Sequence, residues 1–179
     1  MLGHFGTYTF IRPYLEEYAG ATPVFITVVL MVFGVAGAVG NFIAGPLAQR
    51  SLRGSFLVGS TGLVASLLLL LAIGQTQGGA IVALIAWGLS FGIVQLSQVN
   101  MTLASAPDTF EAAMSLNTMA YNTSIALGAL FGGLITNGLG VRSVVWFGIA
   151  LTATSLLLAL SAARTTSPAA RGKELAATR

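Results

Sequence analysis

The sequence predicts an all-α integral membrane protein, a six-helix bundle whose first helix is truncated and whose helices form two inverted three-helix repeats. Three observations point there. The chain is 55% hydrophobic and 7% charged over 179 residues, with a mean hydropathy of +0.87, whereas soluble domains carry about 25% charged residues. Its few charges fall in clusters separated by long charge-free stretches. A weak internal echo also recurs at a fixed offset.

Such a composition excludes several classes. Eight cations and five anions cannot cover the core of a soluble globule of this length. A disordered chain would be polar. With no cysteine there is no disulfide framework, thiolate metal site or cysteine nucleophile. A net charge of +3 from scattered residues is no nucleic-acid footprint. The expected surroundings are a lipid bilayer, with no nucleic acid as partner.

Met1–Tyr18 carries His4, Arg12, Pro13, Glu16 and Glu17, and its apolar part is too short to cross. At 1.5 Å per residue its first ~12 residues reach only ~18 Å. It is either an interfacial helix or, over 1–18, the outer part of a truncated first helix. Arg12 and Glu16 are spaced as a surface pair.

No charge lies between Glu17 and Arg50, Arg53 and Asp108, Glu111 and Arg142, or Arg142 and Arg164. A spanning helix needs about 20 apolar residues. The second gap is long enough for two, divided by a turn at Gln75-Thr76-Gln77-Gly78-Gly79. Five transmembrane helices therefore fill 23–163, at about 23–48, 55–74, 79–105, 112–136 and 143–163. The runs are continuous rather than alternating in polarity, which favours helix over barrel strand. Asp108 and Glu111 suit an N-cap and its partner at the start of the fourth full span.

Arginine and lysine in short loops set orientation. Arg50, Arg53 and the cations of the polar tail at 164–179 share one side, which is assigned to the cytoplasm together with the C-terminus.

Gly45-Pro-Leu-Ala-Gln-Arg-Ser-Leu-Arg-Gly54 follows the first full span, and Gly133-Leu-Ile-Thr-Asn-Gly-Leu-Gly-Val-Arg142 follows the fourth. At the same offset Phe33 meets Tyr121, Ala38 meets Ala126, Gly40 meets Gly128 and Ser55 meets Ser143. The two stretches fall on opposite membrane faces, so the echo reads as an inverted repeat, a transporter signature. Three helices per unit favour a truncated helix over an interfacial one at 1–18. Gly34, Gly37, Gly40, Ala44, Gly45, Gly88, Gly92, Gly128, Gly132 and Gly133 are small enough for close helix approach.

The bilayer midplane falls near Phe91 and Ser124. Near it stand Trp87, Gln95 and Gln98 on one helix and Asn117, Tyr121 and Asn122 on the next. An amide in hydrocarbon is costly without a partner, so these groups either bond between helices or face a wet cavity and a polar solute. His4, the only histidine, lies near mid-membrane if its helix is a truncated span, and an intramembrane ionisable group points to function. No Asp, Glu, Lys or Arg lies deep in a full span. One histidine with no cysteine and no buried carboxylate supports no catalytic, metal or cofactor site, so no enzyme is expected.

Three stretches resemble the major facilitator superfamily, specifically the C-terminal half of bacterial drug- or sugar-efflux members of the drug:proton antiporter type. Gly3–Glu16 resembles the outer part of that family's seventh helix. Gly45–Gly54 resembles its conformational loop motif between helices eight and nine, with Gly45, Leu47, Ala48, Arg50 and Arg53 in place. Ser115–Gly133 resembles the eleventh helix. Gln49 stands where the motif has aspartate, and Leu52 where it has its second glycine, so a charged latch is absent from this half. The resemblance implies efflux of a drug or sugar by proton antiport in an intact two-half protein. It also implies a partner, the missing N-terminal transporter half, with the solute site between the halves at His4, Trp87, Gln95, Gln98, Asn117, Tyr121 and Asn122. The alternative is a small structural or channel-like membrane protein complete in itself. The bacterial inner membrane is the implied location. Single cysteines introduced at Arg53 and Lys173 are expected to react with a membrane-impermeant maleimide from the same side; labelling from opposite sides would refute the orientation.

Overall fold

The computed structural model describes residues 1–165, with helices as its only regular structure; of the expected tail at 164–179, positions 166–179 lie outside the described residues. The first segment forms two short helices, α1 (Leu2–Thr9) and α2 (Ile11–Ala19), broken at Phe10 with φ −105° and ψ 12°. Pro13 explains the break. It has no N–H for the Thr9 carbonyl four residues back, and its ring crowds that carbonyl. Gly20, at φ 57°, closes α2 in the left-handed region. The Thr22 hydroxyl then accepts from the Phe25 N–H at 3.3 Å, and α3 (Pro23–Arg50) begins with proline at a position whose N–H is not needed.

A single residue, Ser51, joins α3 to α4 (Leu52–Ile73), and its hydroxyl accepts from the Gly54 N–H at 2.9 Å. Thr76 caps α5 (Gln77–Ser105) through the Gly79 N–H at 3.1 Å. A 3₁₀ turn at Pro107–Thr109 leads into α6 (Phe110–Leu139), and Gly140, at φ 83°, turns the chain into α7 (Val141–Thr165). Among the described residues, five helices are long and apolar enough to cross a membrane: Pro23–Arg50, Leu52–Ile73, Gln77–Ser105, Pro107–Leu139 and Val141–Ser161. Two local expectations are corrected. The Gly45–Gly54 stretch is helical except at Ser51, because the serine cap starts the next helix at once. Asp108 does not cap α6, since the 3₁₀ turn moves the cap to Thr109, which makes no side-chain cap bond.

Packing follows the inverted repeat. α5 lies along α3 and α4, while α1 lies along α6 and α7. Exchanging the first three-helix unit (α1/α2, α3, α4) with the second (α5, α6, α7) maps each of these pairings onto the other. The α3–α4 and α6–α7 contacts exchange likewise, and α4–α7 maps onto itself.

Glycine makes the closest crossings. A Cβ on Gly40 would collide with the Leu89 carbonyl, and one on Gly92 with the Gly37 carbonyl. At the repeat-related position, a Cβ on Gly128 would lie 2.8 Å from the Gly6 nitrogen and 2.9 Å from the Leu2 oxygen. Backbone contact of this kind supplies the attraction that lipid-immersed helices otherwise lack. Gly34 and Gly45 have nothing within 4 Å and serve no such crossing inside the chain.

Trp87, Tyr14, Leu15, Leu67, Leu70 and Leu84 are fully buried at the centre. Val24, Met31, Phe42, Leu130, Trp146 and Leu157 are exposed, as suits a multi-pass protein whose outer surface meets lipid rather than water. Tyr14 donates its hydroxyl to the Leu70 carbonyl at 3.0 Å, tying α2 to α4. Arg12 and Glu16 pair at 2.9 Å on the exposed side of α2, a contact worth little. Replacing Gly92→Val is expected to cost about 1–3 kcal/mol through overpacking of the α3–α5 crossing, while Gly34→Ala is expected to be neutral or stabilising. Thermal unfolding in detergent distinguishes them; equal losses would refute the crossing.

Candidate functional site

The break at Phe10 leaves α1 as a short rod whose first turn ends in the middle of the bundle. His4 projects from it towards α3 and α5 and is 3% exposed. Its Nδ1 accepts a hydrogen bond from the Trp87 indole N–H at 3.0 Å. Its ring stacks on Phe91 with centroids 3.8 Å apart and planes 7° from parallel. Tyr8 and Phe33 complete the aromatic surround at centroid distances of 5.9 and 6.4 Å. Phe5 continues the cluster, edge-on to Tyr121 of α6 at 5.0 Å. Phe33 and Tyr121, paired by the repeat offset, thus flank one aromatic array.

A cavity of about 510 Å³ opens beside this array, at the start of α1. Gly3 and His4 border it with Ser60 and Leu63 of α4, Gln98 and Met101 of α5, Tyr121 and Ser124 of α6, and Thr152 and Ser155 of α7. A smaller one of about 200 Å³ lies between α5 and α6 and is lined by Gln95, Gln98, Asn117, Thr118 and Tyr121 among others. Gln98 and Tyr121 belong to both. Gln98 donates from Nε2 to Asn117 Oδ1 at 3.2 Å, bridging α5 and α6. Neither cavity is lined by a formally charged side chain.

His4, Gln95, Gln98, Asn117 and Tyr121 therefore share one region. Trp87 is fully buried and borders neither cavity, reaching this region only through His4. Asn122 stands apart on an exposed face of α6, its amide donating to the Thr118 carbonyl at 2.9 Å. The motif residues lie away from the cavities. Gly45, Leu47, Ala48, Gln49 and Arg50 occupy the end of α3, with Gln49 and Arg50 exposed. Arg53 donates to the Ala159 carbonyl at 2.8 Å, linking α4 to α7. Phe5, Ser60 and Thr152 are neighbours of the site that the sequence does not single out, and Phe91 is visible there only as a midplane marker. Ser124 is visible there only as a midplane marker one turn from Tyr121.

Membrane-length helices in two exchanged triplets beside a cavity without charged side chains define a multi-pass membrane protein. The chain belongs to the Major Facilitator Superfamily, whose family model matches residues 1–178. It is 33% identical over 162 residues to an inner membrane transport protein of Escherichia coli K12, YdhP, covering 89% of this chain and 41% of that protein. It is 30% identical over 149 residues to a probable sugar efflux transporter of Helicobacter pylori strain 26695, covering 83% of this chain and 38% of that protein. The chain thus spans about two-fifths of the length of these curated relatives.

Because the Gln98–Asn117 bond joins two spans, a double-mutant cycle with Gln98→Leu and Asn117→Leu is expected to give a coupling of about 0.6 kcal/mol. Unfolding in detergent measures it, and strictly additive losses would show that the bond contributes nothing.

Proposed function

We propose that this chain is the C-terminal half of a two-half exporter that moves a drug or sugar out of the bacterial cell by proton antiport, with its C-terminus in the cytoplasm. The observation that carries the reading is the cavity shared by His4, Gln98 and Tyr121, where α1, α5 and α6 meet. Amides, hydroxyls and ring faces converge there, and such groups exchange hydrogen bonds with a polar solute without fixing it permanently. Family membership supports transport, and the Helicobacter relative's name supports efflux. The relatives' greater length supports a partner half.

The two halves divide the work. This bundle supplies hydrogen-bonding and stacking groups to one wall of the pathway. A proton-coupling carboxylate falls to the N-terminal half, since no acid lies within the cavities described. Gly45–Arg53 sits at the cytoplasmic corner of α3 and α4. Gln49 in place of aspartate removes a charge there, so conformational bias rests on packing and on the Arg53 contact with α7.

Tyr121→Ala in the full-length transporter is expected to change the ratio of efflux rates between substrates by about tenfold, the equivalent of roughly 1.4 kcal/mol, while membrane insertion stays normal. Efflux assays across a panel of drugs and sugars, with insertion checked by quantitative labelling, test this. Unchanged efflux of every compound would refute the assignment.

A further inference from the structure

Resting on the site just described, we propose that Trp87 locks His4 as a neutral imidazole with its proton on Nε2, presented to the cavity as a fixed donor, so that this wall selects uncharged, acceptor-bearing solutes over organic cations. Trp87 is a positioning residue; His4 makes the contact.

The hydrogen-bond chemistry fixes the tautomer. An indole nitrogen only donates, so the nitrogen that receives it, His4 Nδ1 at 3.0 Å, carries no proton. The proton of the neutral ring then resides on Nε2. Among the described residues that atom has no hydrogen-bond partner, yet none of their side-chain nitrogens or oxygens is both sealed and unpartnered. Nε2 is therefore the open nitrogen, and His4 borders the larger cavity.

The surroundings hold the ring in place. Phe91 stacks flat on it at 3.8 Å, while Trp87 and Phe5 meet it edge-on at 5.5 and 4.8 Å. A second proton on the ring would convert Nδ1 from acceptor to donor. It would strand the indole N–H of Trp87, which is fully buried, and a buried donor without an acceptor is costly. The titratable groups facing His4 are the Met1 amino group and Tyr8 on its own helix and Tyr121 of α6. Among the described residues, α3, α4, α5 and α7 turn none towards it. No carboxylate near the ring stabilises an imidazolium, and none lines the cavities to balance a cationic solute. An uncharged solute with hydroxyl or ether oxygens meets donors from His4, Gln98 and Tyr121 instead.

The test is nitrogen NMR on the full-length transporter in lipid nanodiscs, labelled with ¹⁵N-histidine, with the His4 signals assigned by their loss in His4→Gln. The wild-type ring is expected to show one tautomer, protonated on Nε2, that stays unchanged between about pH 5.5 and 8, a range that brackets the ordinary histidine value. Trp87→Phe, which keeps a ring but removes the donor, is expected to mix the two neutral tautomers. A wild-type ring protonated on Nδ1, or one that takes up a proton across this range, overturns the lock. Should Trp87→Phe fail to insert, the wild-type spectrum still decides.

Selection is read in the same spectra with two probes. Methyl glucoside is expected to shift the Nε2 signal, and tetraphenylphosphonium is not. A shift with the cation, or none with either probe, overturns the proposed selection. The outcomes also separate the two proposals. A silent Tyr121→Ala would overturn the site while leaving the tautomer intact, and a wrong tautomer would leave the Tyr121 result standing.

Discussion

Hydrocarbon offers no hydrogen bonds, and the rest of this structure depends on that constraint. Every amide and hydroxyl carried into the bilayer must find its partner within the chain or border a wet space. Helices satisfy the backbone. Serines and threonines bond back to the carbonyl four residues earlier, as Thr7 does to Gly3, Ser90 to Ala86, Ser97 to Ile93 and Thr152 to Gly148. Ser55 and Ser97 share a buried bond of 2.7 Å between α4 and α5. With those needs met locally, the helices adhere through close backbone contact at Gly37, Gly40, Gly88 and Gly92. The groups left facing a cavity, Gln98, Tyr121 and His4 among them, stand out against this background.

Much of the architecture was legible because charge is so expensive in a membrane. The gaps between Glu17, Arg50, Arg53, Asp108, Glu111 and Arg142 delimit the spans closely. The observed helices run a few residues longer at most ends, because capping serine, threonine and glycine residues tighten the corners. The repeat was legible in Gly40 and Gly128, whose neighbours correspond across the two units. The same logic failed at Gly34 and Gly45, since a glycine in a sequence shows room for contact but not which side of the helix a neighbour occupies. The break at Phe10 was likewise hidden; Pro13 signals it, but proline near a helix start is equally compatible with an unbroken rod.

The site was only partly visible. Polar residues near the midplane could be picked out one at a time, and Gln95, Gln98, Asn117 and Tyr121 do gather. Their grouping depends on how α5 and α6 rotate against each other, which packing decides. The ring stacked on His4 is Phe91, from a helix more than eighty positions away, and no local periodicity announces such a meeting. Trp87 was legible as an unusual side chain at the right depth, but not as one turned wholly inward. Asn122 shows the opposite case, an amide that satisfies itself on its own helix and stays on an outer face.

The two corners at Ser51 and Gly140 carry a mechanical consequence. Each joins a pair of long helices through one residue, and they lie at opposite ends of the bundle because the chain reverses direction between them. A joint that short leaves no slack, so a push on the tip of α3 is delivered to α4 as torque, and a push on α6 likewise to α7. Such elbows make stiff levers of the two hairpins, and deformation is diverted to the articulated rod of α1 and α2, jointed at Phe10, which carries His4.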